Sequence, residues 1–378
     1  MKKKGRWKQL GPALFALAIG AFGGLVIVGC LETEEMAQNS FLEDMGVFAI
    51  LLLVFCVSMY LQIIIHEAGH LIFGLLSGYR FSSFRIGNMI WKKEDGKIKR
   101  GKISIAGTGG QCLMMPPEGE DGEHPFLLYH LGGVLNNLIS TMIFFCIFVL
   151  CKQGVVGYAF LIMALAGIFS ALLNGIPMKN AMVNNDGKNI VMLRKYPKAR
   201  KIFDLQLKMN ALNEKGVRLK DMPEEYFFFP TKEEQKITAC ADMGVLYCNR
   251  LMDEHKFSEA NEKMKELMQP EVEVSGLYRN LLTFDRIYCD LIEGKAEEVT
   301  SVRTRELEQF KKMMKQYPSI LRTEYAYALI AENNEEKAKV YETIFASCAK
   351  TYPYPGDIES ERELLEIAKE YGNKITKN

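Results

Sequence analysis

Hydrophobic positions in this chain of 378 residues crowd into its first half. Four apolar runs, 10–29, 46–76, 125–151 and 155–176, are each long enough for a membrane-crossing helix, which takes about 20 residues. The second is long for one crossing and has room to tilt or to run past the lipid. Between the second and third runs the pattern shortens. Residues 79–85 and 89–105 read as strands, with Glu94-Asp95-Gly96 as a hairpin turn between 89–93 and 97–103. From about Leu205 onward the chain is polar with a helical period.

Charge orients these elements. With 47 Lys and Arg against 46 Asp and Glu, the formal net charge is +1, so no global field favours nucleic acid. Locally the bias is strong. Lys2, Lys3, Lys4, Arg6 and Lys8 precede the first run, and the 31–45 connection holds only acidic charges, such as Glu32 and Asp44. The 77–124 segment and the stretch after the fourth run are rich in Lys and Arg. By the positive-inside rule both termini, the strand region and the polar half face the cytoplasm. The expected fold class is an all-α membrane protein: four transmembrane helices, a small cytoplasmic β-hairpin region and a C-terminal α-helical soluble domain. The expected boundaries are 1–45 for a signal-anchor helix and outward loop, 46–190 for a membrane core, and 191–378 for the cytoplasmic helical domain. The nine cysteines form no C-x-x-C pair and read as reduced thiols used as small hydrophobes. Ile27-Val28-Gly29-Cys30 looks like a lipidation site, although its apolar run is longer than the usual signal h-region of about 7–15 residues.

Inside the second run stands His66-Glu67-Ala68-Gly69-His70. Ionisable groups are expensive in lipid, so this cluster is a functional-site hypothesis by default. Positions i and i+4 share a helical face, so His66 and His70 can meet one ion. In the H-E-x-x-H arrangement the histidines hold Zn²⁺ and the Glu is a general base. A tetrahedral catalytic zinc takes three protein ligands. The third candidate is Asp186, the only acidic residue between Glu123 and Asp204, placed just after the fourth run. Its Asp-Gly also reads as an ordinary turn at a helix exit. Asp204 and Glu123 are the fallbacks.

The combination resembles the site-2 protease family of intramembrane zinc metallopeptidases. The resemblance rests on His66, Glu67 and His70, then on Asn174, Pro177, Asp186 and Gly187 in the order N-x-x-P…D-G. It also rests on Gly132, Gly133 and Asn136 in a middle span where the family often has G-P-x-x-N. It implies one Zn²⁺ per chain held by His66, His70 and Asp186, Glu67 as the catalytic base, and hydrolysis of membrane-anchored protein or peptide substrates. Two departures stand out. Gly133 replaces the usual Pro, and twelve residues separate Asn174 from Asp186, so the extra loop must fold back. Asn136 and Asn174 are the oxyanion or substrate-binding candidates, Asn137 reads equally as such a candidate or as an interhelical hydrogen-bonding residue, and His130 as an interfacial histidine.

The polar half carries a faint period. Ala260, Val299 and Ala338 each follow a short turn and fall 39 residues apart, which is similar to a tetratricopeptide-like array of nominal period about 34. A plain helical bundle is the other reading. Either would offer a cytoplasmic surface to a protein partner.

These features point to an intramembrane zinc metalloendopeptidase cutting near the cytoplasmic face, in a multi-pass protein of a bacterial plasma membrane. A catalytically silent scaffold with a structural zinc site is the alternative. A metal transporter is disfavoured, because four spans leave little room for a pathway.

Overall fold

The computed structural model describes residues 41–94, 96–151, 154–299, 302–314 and 316–376. The expected first span at 10–29 and Cys30 lie outside the described residues. The chain is mostly helical, with a small antiparallel sheet. It divides into two compact units.

The first unit comprises Met1–Tyr79, Pro125–Asn180 and Asn184–Val191. Its described helices are α1 (Phe41–Leu76), α2 (Phe126–Cys151) and α3 (Val155–Gly175). Three helices, Met45–Leu76, Phe126–Cys151 and Val155–Gly175, are long and apolar enough to cross a membrane. Large apolar side chains such as Leu53, Ile143 and Val156 are exposed on their outer faces. Polar side chains turn inward: Ser58, Gln62, Asn137 and Ser140 are buried. That inversion suits a lipid solvent, where each polar group needs a partner inside the bundle.

Glycine sets the closeness of α1 and α2. A Cβ on Gly69 would collide with the Gly132 carbonyl, and one on Gly132 with the Gly69 carbonyl, so the two backbones touch there. A Cβ on Gly133 would run into the His66 ring. The absence of a side chain at Gly133 therefore gives His66 its space.

The second unit comprises Arg80–His124, Ala181–Val183 and Met192–Asn378. Its strands are β1 (Arg80–Ile86), β2 (Met89–Glu94), β3 (Lys97–Lys102) and β4 (Gly110–Met115), ordered β3-β2-β1-β4. The β2–β3 hairpin forms where expected, but Glu94 belongs to β2 and pairs with Lys97 instead of lying in the turn, and Gly96 sits at φ +76°. β4 was not anticipated. Gly110-Gln111-Cys112-Leu113-Met114-Met115 has no β-branched residue, so its strand character comes from pairing with β1. Buried Arg85 stitches the sheet, donating to the carbonyls of Gly87 at 2.6 Å and Gly110 at 3.0 Å and to the Thr108 hydroxyl.

Helices α4 (Asp186–Lys195) and α5 (Pro197–Glu214) lead into α6 (Thr238–Asp253), α7 (Phe257–Leu267), α8 (Gly276–Ile292), α9 (Ala296–Val299), α10 (Arg305–Met313), α11 (Pro318–Ala326), α12 (Glu335–Ala349) and α13 (Pro355–Thr376). Helices α6 to α13 pack around one apolar core that includes Leu282, Phe284, Phe310 and Leu365. His255, Gly294 and Asn333 all adopt positive φ, each two residues before a helix and 39 residues from the next. Lys256 N–H reaches Leu251 O at 2.9 Å and Lys295 N–H reaches Asp290 O at 2.8 Å, the bonding of a Schellman helix end. At the third turn Asn334 N–H bonds Ala328 O, one residue further back, because a π-helical turn at Tyr327–Ala331 adds a residue. Ala260, Val299 and Ala338 are buried just after these turns.

Candidate metal centre

His66, Glu67 and His70 lie on α1 one turn apart, and all three are buried. His70 Nδ1 stands 2.7 Å from the Tyr129 carbonyl, which can only accept, so this nitrogen carries the proton and donates. His66 Nδ1 lies 2.7 Å from Asn137 Oδ1. Both rings thus turn Nε2 toward the same point, and the two Nε2 atoms are 3.1 Å apart.

Asp186 completes that point. Its Oδ2 lies 2.9 Å from His66 Nε2 and 3.4 Å from His70 Nε2. The reach across the twelve-residue interval is explained by Asn185. Its Oδ1 accepts from Met178 N–H at 2.9 Å and from Lys188 N–H at 3.0 Å, the latter an N-cap of α4. Its Nδ2 donates to the carbonyls of Leu173 at 2.7 Å and Ile176 at 2.6 Å. One buried amide therefore ties the start of α4 to the end of α3. Gly187 completes the fit, since a Cβ there would strike the Gly175 carbonyl. Sequence reading passed over Asn185; the signal available was an Asn directly before a helix, at the N-cap position.

Do these atoms suit zinc? Ligand bonds of about 2.0–2.1 Å in a tetrahedral site set ligand atoms about 3.3 Å apart, close to the three separations here. Asp186 Oδ2 is buried and makes no regular hydrogen bond, although it faces two ring nitrogens. Two imidazoles and one carboxylate form a donor set that zinc accepts. The residues fit. Glu67 stands beside the cluster, close enough to His70 for their charges to interact.

The other candidates sit differently. Asn136 Nδ2 donates to Ile65 O at 2.6 Å, and Asn174 Nδ2 to Ser170 O at 3.0 Å, so each amide has a backbone partner. Neither belongs to the ligand triangle. His130 is buried, against the rings of Tyr129 and Phe126. Asp204, a fallback ligand, is committed elsewhere. Its Oδ2 accepts from His124 Nδ1 and from Gly122 N–H, both at 2.7 Å. Together with Asp121 these form the second His/Asp group among the described residues, but the Lys208 ammonium already stands 2.6 Å from Asp121. That group reads as a latch holding the 119–124 loop to α5.

The sequence model described as peptidase family M50 matches residues 54–346. The chain belongs to peptidase family M50. This is the site-2 protease family of membrane zinc metallopeptidases, and the matched stretch contains both histidines, Glu67 and Asp186. No curated protein and no solved structure matches the chain.

Proposed function

We propose that this M50 peptidase is an intramembrane zinc metalloendopeptidase that cuts membrane-anchored proteins or peptide precursors near the cytoplasmic face. The observation that carries the reading is the meeting of His66 Nε2, His70 Nε2 and Asp186 Oδ2 within 3.4 Å, on and beside an apolar helix. Zinc bound there would polarise the scissile carbonyl and supply a water acidic enough to attack at neutral pH. Glu67 takes the proton of the attacking water and passes it to the leaving amine. His66 and His70 keep their Nδ1 protons on Asn137 and Tyr129, which leaves both Nε2 lone pairs for the ion.

A helical substrate must unwind before its carbonyl is open to attack. β3 lies at a sheet edge; Lys102 N–H is already bonded to Thr351 O at 2.8 Å, and the exposed residues 97–100 leave the rest of the edge for an extended strand. The proposed organisation keeps the boundaries 1–45, 46–190 and 191–378, four spans and both termini in the cytoplasm of a bacterium. The three equivalent turns at His255, Gly294 and Asn333 favour a tetratricopeptide-like repeat over an irregular bundle for the last segment. Its role would be to dock a protein partner.

A catalytically silent scaffold has no use for a buried Glu67. Replacing Glu67 with Gln separates the readings. Cleavage of a membrane-anchored reporter should fall by about 10²–10⁴-fold while zinc content holds at one per chain. A variant that cuts at the native rate would remove the protease reading.

A further inference from the structure

A buried amide network runs behind His66. Asn137, fully buried on α2, places Oδ1 2.7 Å from His66 Nδ1. Its Nδ2 donates to two oxygens of Gln62, the backbone carbonyl at 3.1 Å and Oε1 at 2.7 Å. Ser140 Oγ stands 3.2 Å from Gln62 Oε1 and 2.8 Å from the Asn137 carbonyl, and its single proton goes to one or the other. Gln62 is itself 1% exposed and sits one turn before His66 on the same face of α1. Helix α3 closes the network: a Cβ on Gly167 would come within 3.1 Å of both Gln62 Nε2 and Asn137 O.

The chemistry fixes the direction of the bonds that Asn137 makes. A carboxamide has one accepting and one donating end. Turning the Asn137 amide over would set its oxygen against both Gln62 oxygens, so Oδ1 must face His66. His66 Nδ1 must then carry the proton, and a neutral imidazole with Nδ1–H has its lone pair on Nε2. That lone pair points at Asp186 Oδ2, 2.9 Å away. We infer that Asn137 is a positioning residue of the metal centre: held from behind by Gln62, its amide sets the tautomer and ring angle of His66. Bonds of this kind behind a ligating histidine typically contribute 10–100-fold in metal affinity. The inference rests on the zinc reading above and goes beyond it, because an interhelical hydrogen bond that only joined α1 and α2 would not depend on which end of the amide faces His66.

The test is zinc affinity of the full chain in detergent, read by competition with a chelator. Asn137→Leu should bind zinc about 10–100-fold more weakly. Asn137→Asp, which as the neutral acid accepts from the same Nδ1–H with one oxygen and donates its O–H to Gln62 with the other, should return to within a few-fold of the native protein. Gln62→Met should lose less than Asn137→Leu, since the Gln62 backbone oxygen still holds the amide. Native affinity in Asn137→Leu, or equal losses in the Leu and Asp variants, would overturn the inference. If Asn137→Leu does not fold, Gln62→Met carries the test. Its loss should shrink in the Asn137→Asp background, where no amide can turn over, and an unchanged loss overturns the proposal. His66→Ala separates the two levels. If it keeps native zinc affinity, the metal reading falls and the inference with it; if it loses zinc while Asn137→Leu does not, only the inference falls.

Discussion

At the residue scale the proposed metal centre depends on side chains outside the triangle of His66, His70 and Asp186. Asn185 is the clearest case, because four hydrogen bonds from one amide bring Asp186 to the histidines. Asn185→Ala removes the N-cap, a loss of about 1 kcal/mol, and both ties to α3. Zinc affinity should fall by roughly tenfold in chelator competition, since the cost of placing Asp186 is then met by binding. Asn185→Asp keeps the cap acceptor and loses the two donors, so its affinity should lie between native and Ala. Among the proposed ligands, Asp186→Ala should lose zinc altogether on metal analysis of the purified protein, which Glu67→Gln should not.

At the element scale the decisive contact is α1 against α2. Backbones meet at Gly69 and Gly132, and Gly133 makes room for the His66 ring. Added carbon has nowhere to go without parting the helices. Gly69→Val should lower stability by about 1–3 kcal/mol, measured by thermal unfolding in detergent. Gly133→Ala should push the His66 ring aside, so both zinc content and proteolysis should drop even where the bundle stays folded. The hairpin β2–β3 was legible from its alternation and the turn signal of Glu94-Asp95-Gly96. β4 was not, because nothing in Gly110–Met115 favours a strand until β1 lies beside it.

At the scale of the whole molecule the helical unit carries charges in its core. Arg322 lies between Asp285, 2.6 Å away, and Glu361, 2.8 Å away. Burial pushes the Glu361 carboxyl up to about 7, partly offset by Arg322, and the Asp357 carboxyl up to about 6. Both folded values lie above the unfolded ones, so the folded state holds extra protons in this window. Their contribution to stability is full at acid pH below the unfolded values of about 4, fades as pH rises above them, and is lost once pH has passed the folded values of about 6 and 7. Thermal unfolding followed between about pH 5 and 8 should show the change, about 1–3 kcal/mol. Glu361→Gln should flatten the profile, and an unchanged slope would assign it to other groups.

Sequence alone determined the spans at 46–76, 125–151 and 155–176, the His66-Glu67-His70 spacing and the candidacy of Asp186. These are legible because helix length, helix period and the cost of charge in lipid act locally along the chain. Ala260, Val299 and Ala338, 39 residues apart in the sequence, each follow a positive-φ residue at the same spacing, His255, Gly294 and Asn333. Tertiary structure decided how Asp186 reaches the histidines, why Gly133 stands before His66, and that Asn137 turns its oxygen toward that ring. Each of these depends on which backbones approach across tens of residues, and no local pattern records which of several buried amides will face which donor once the helices pack.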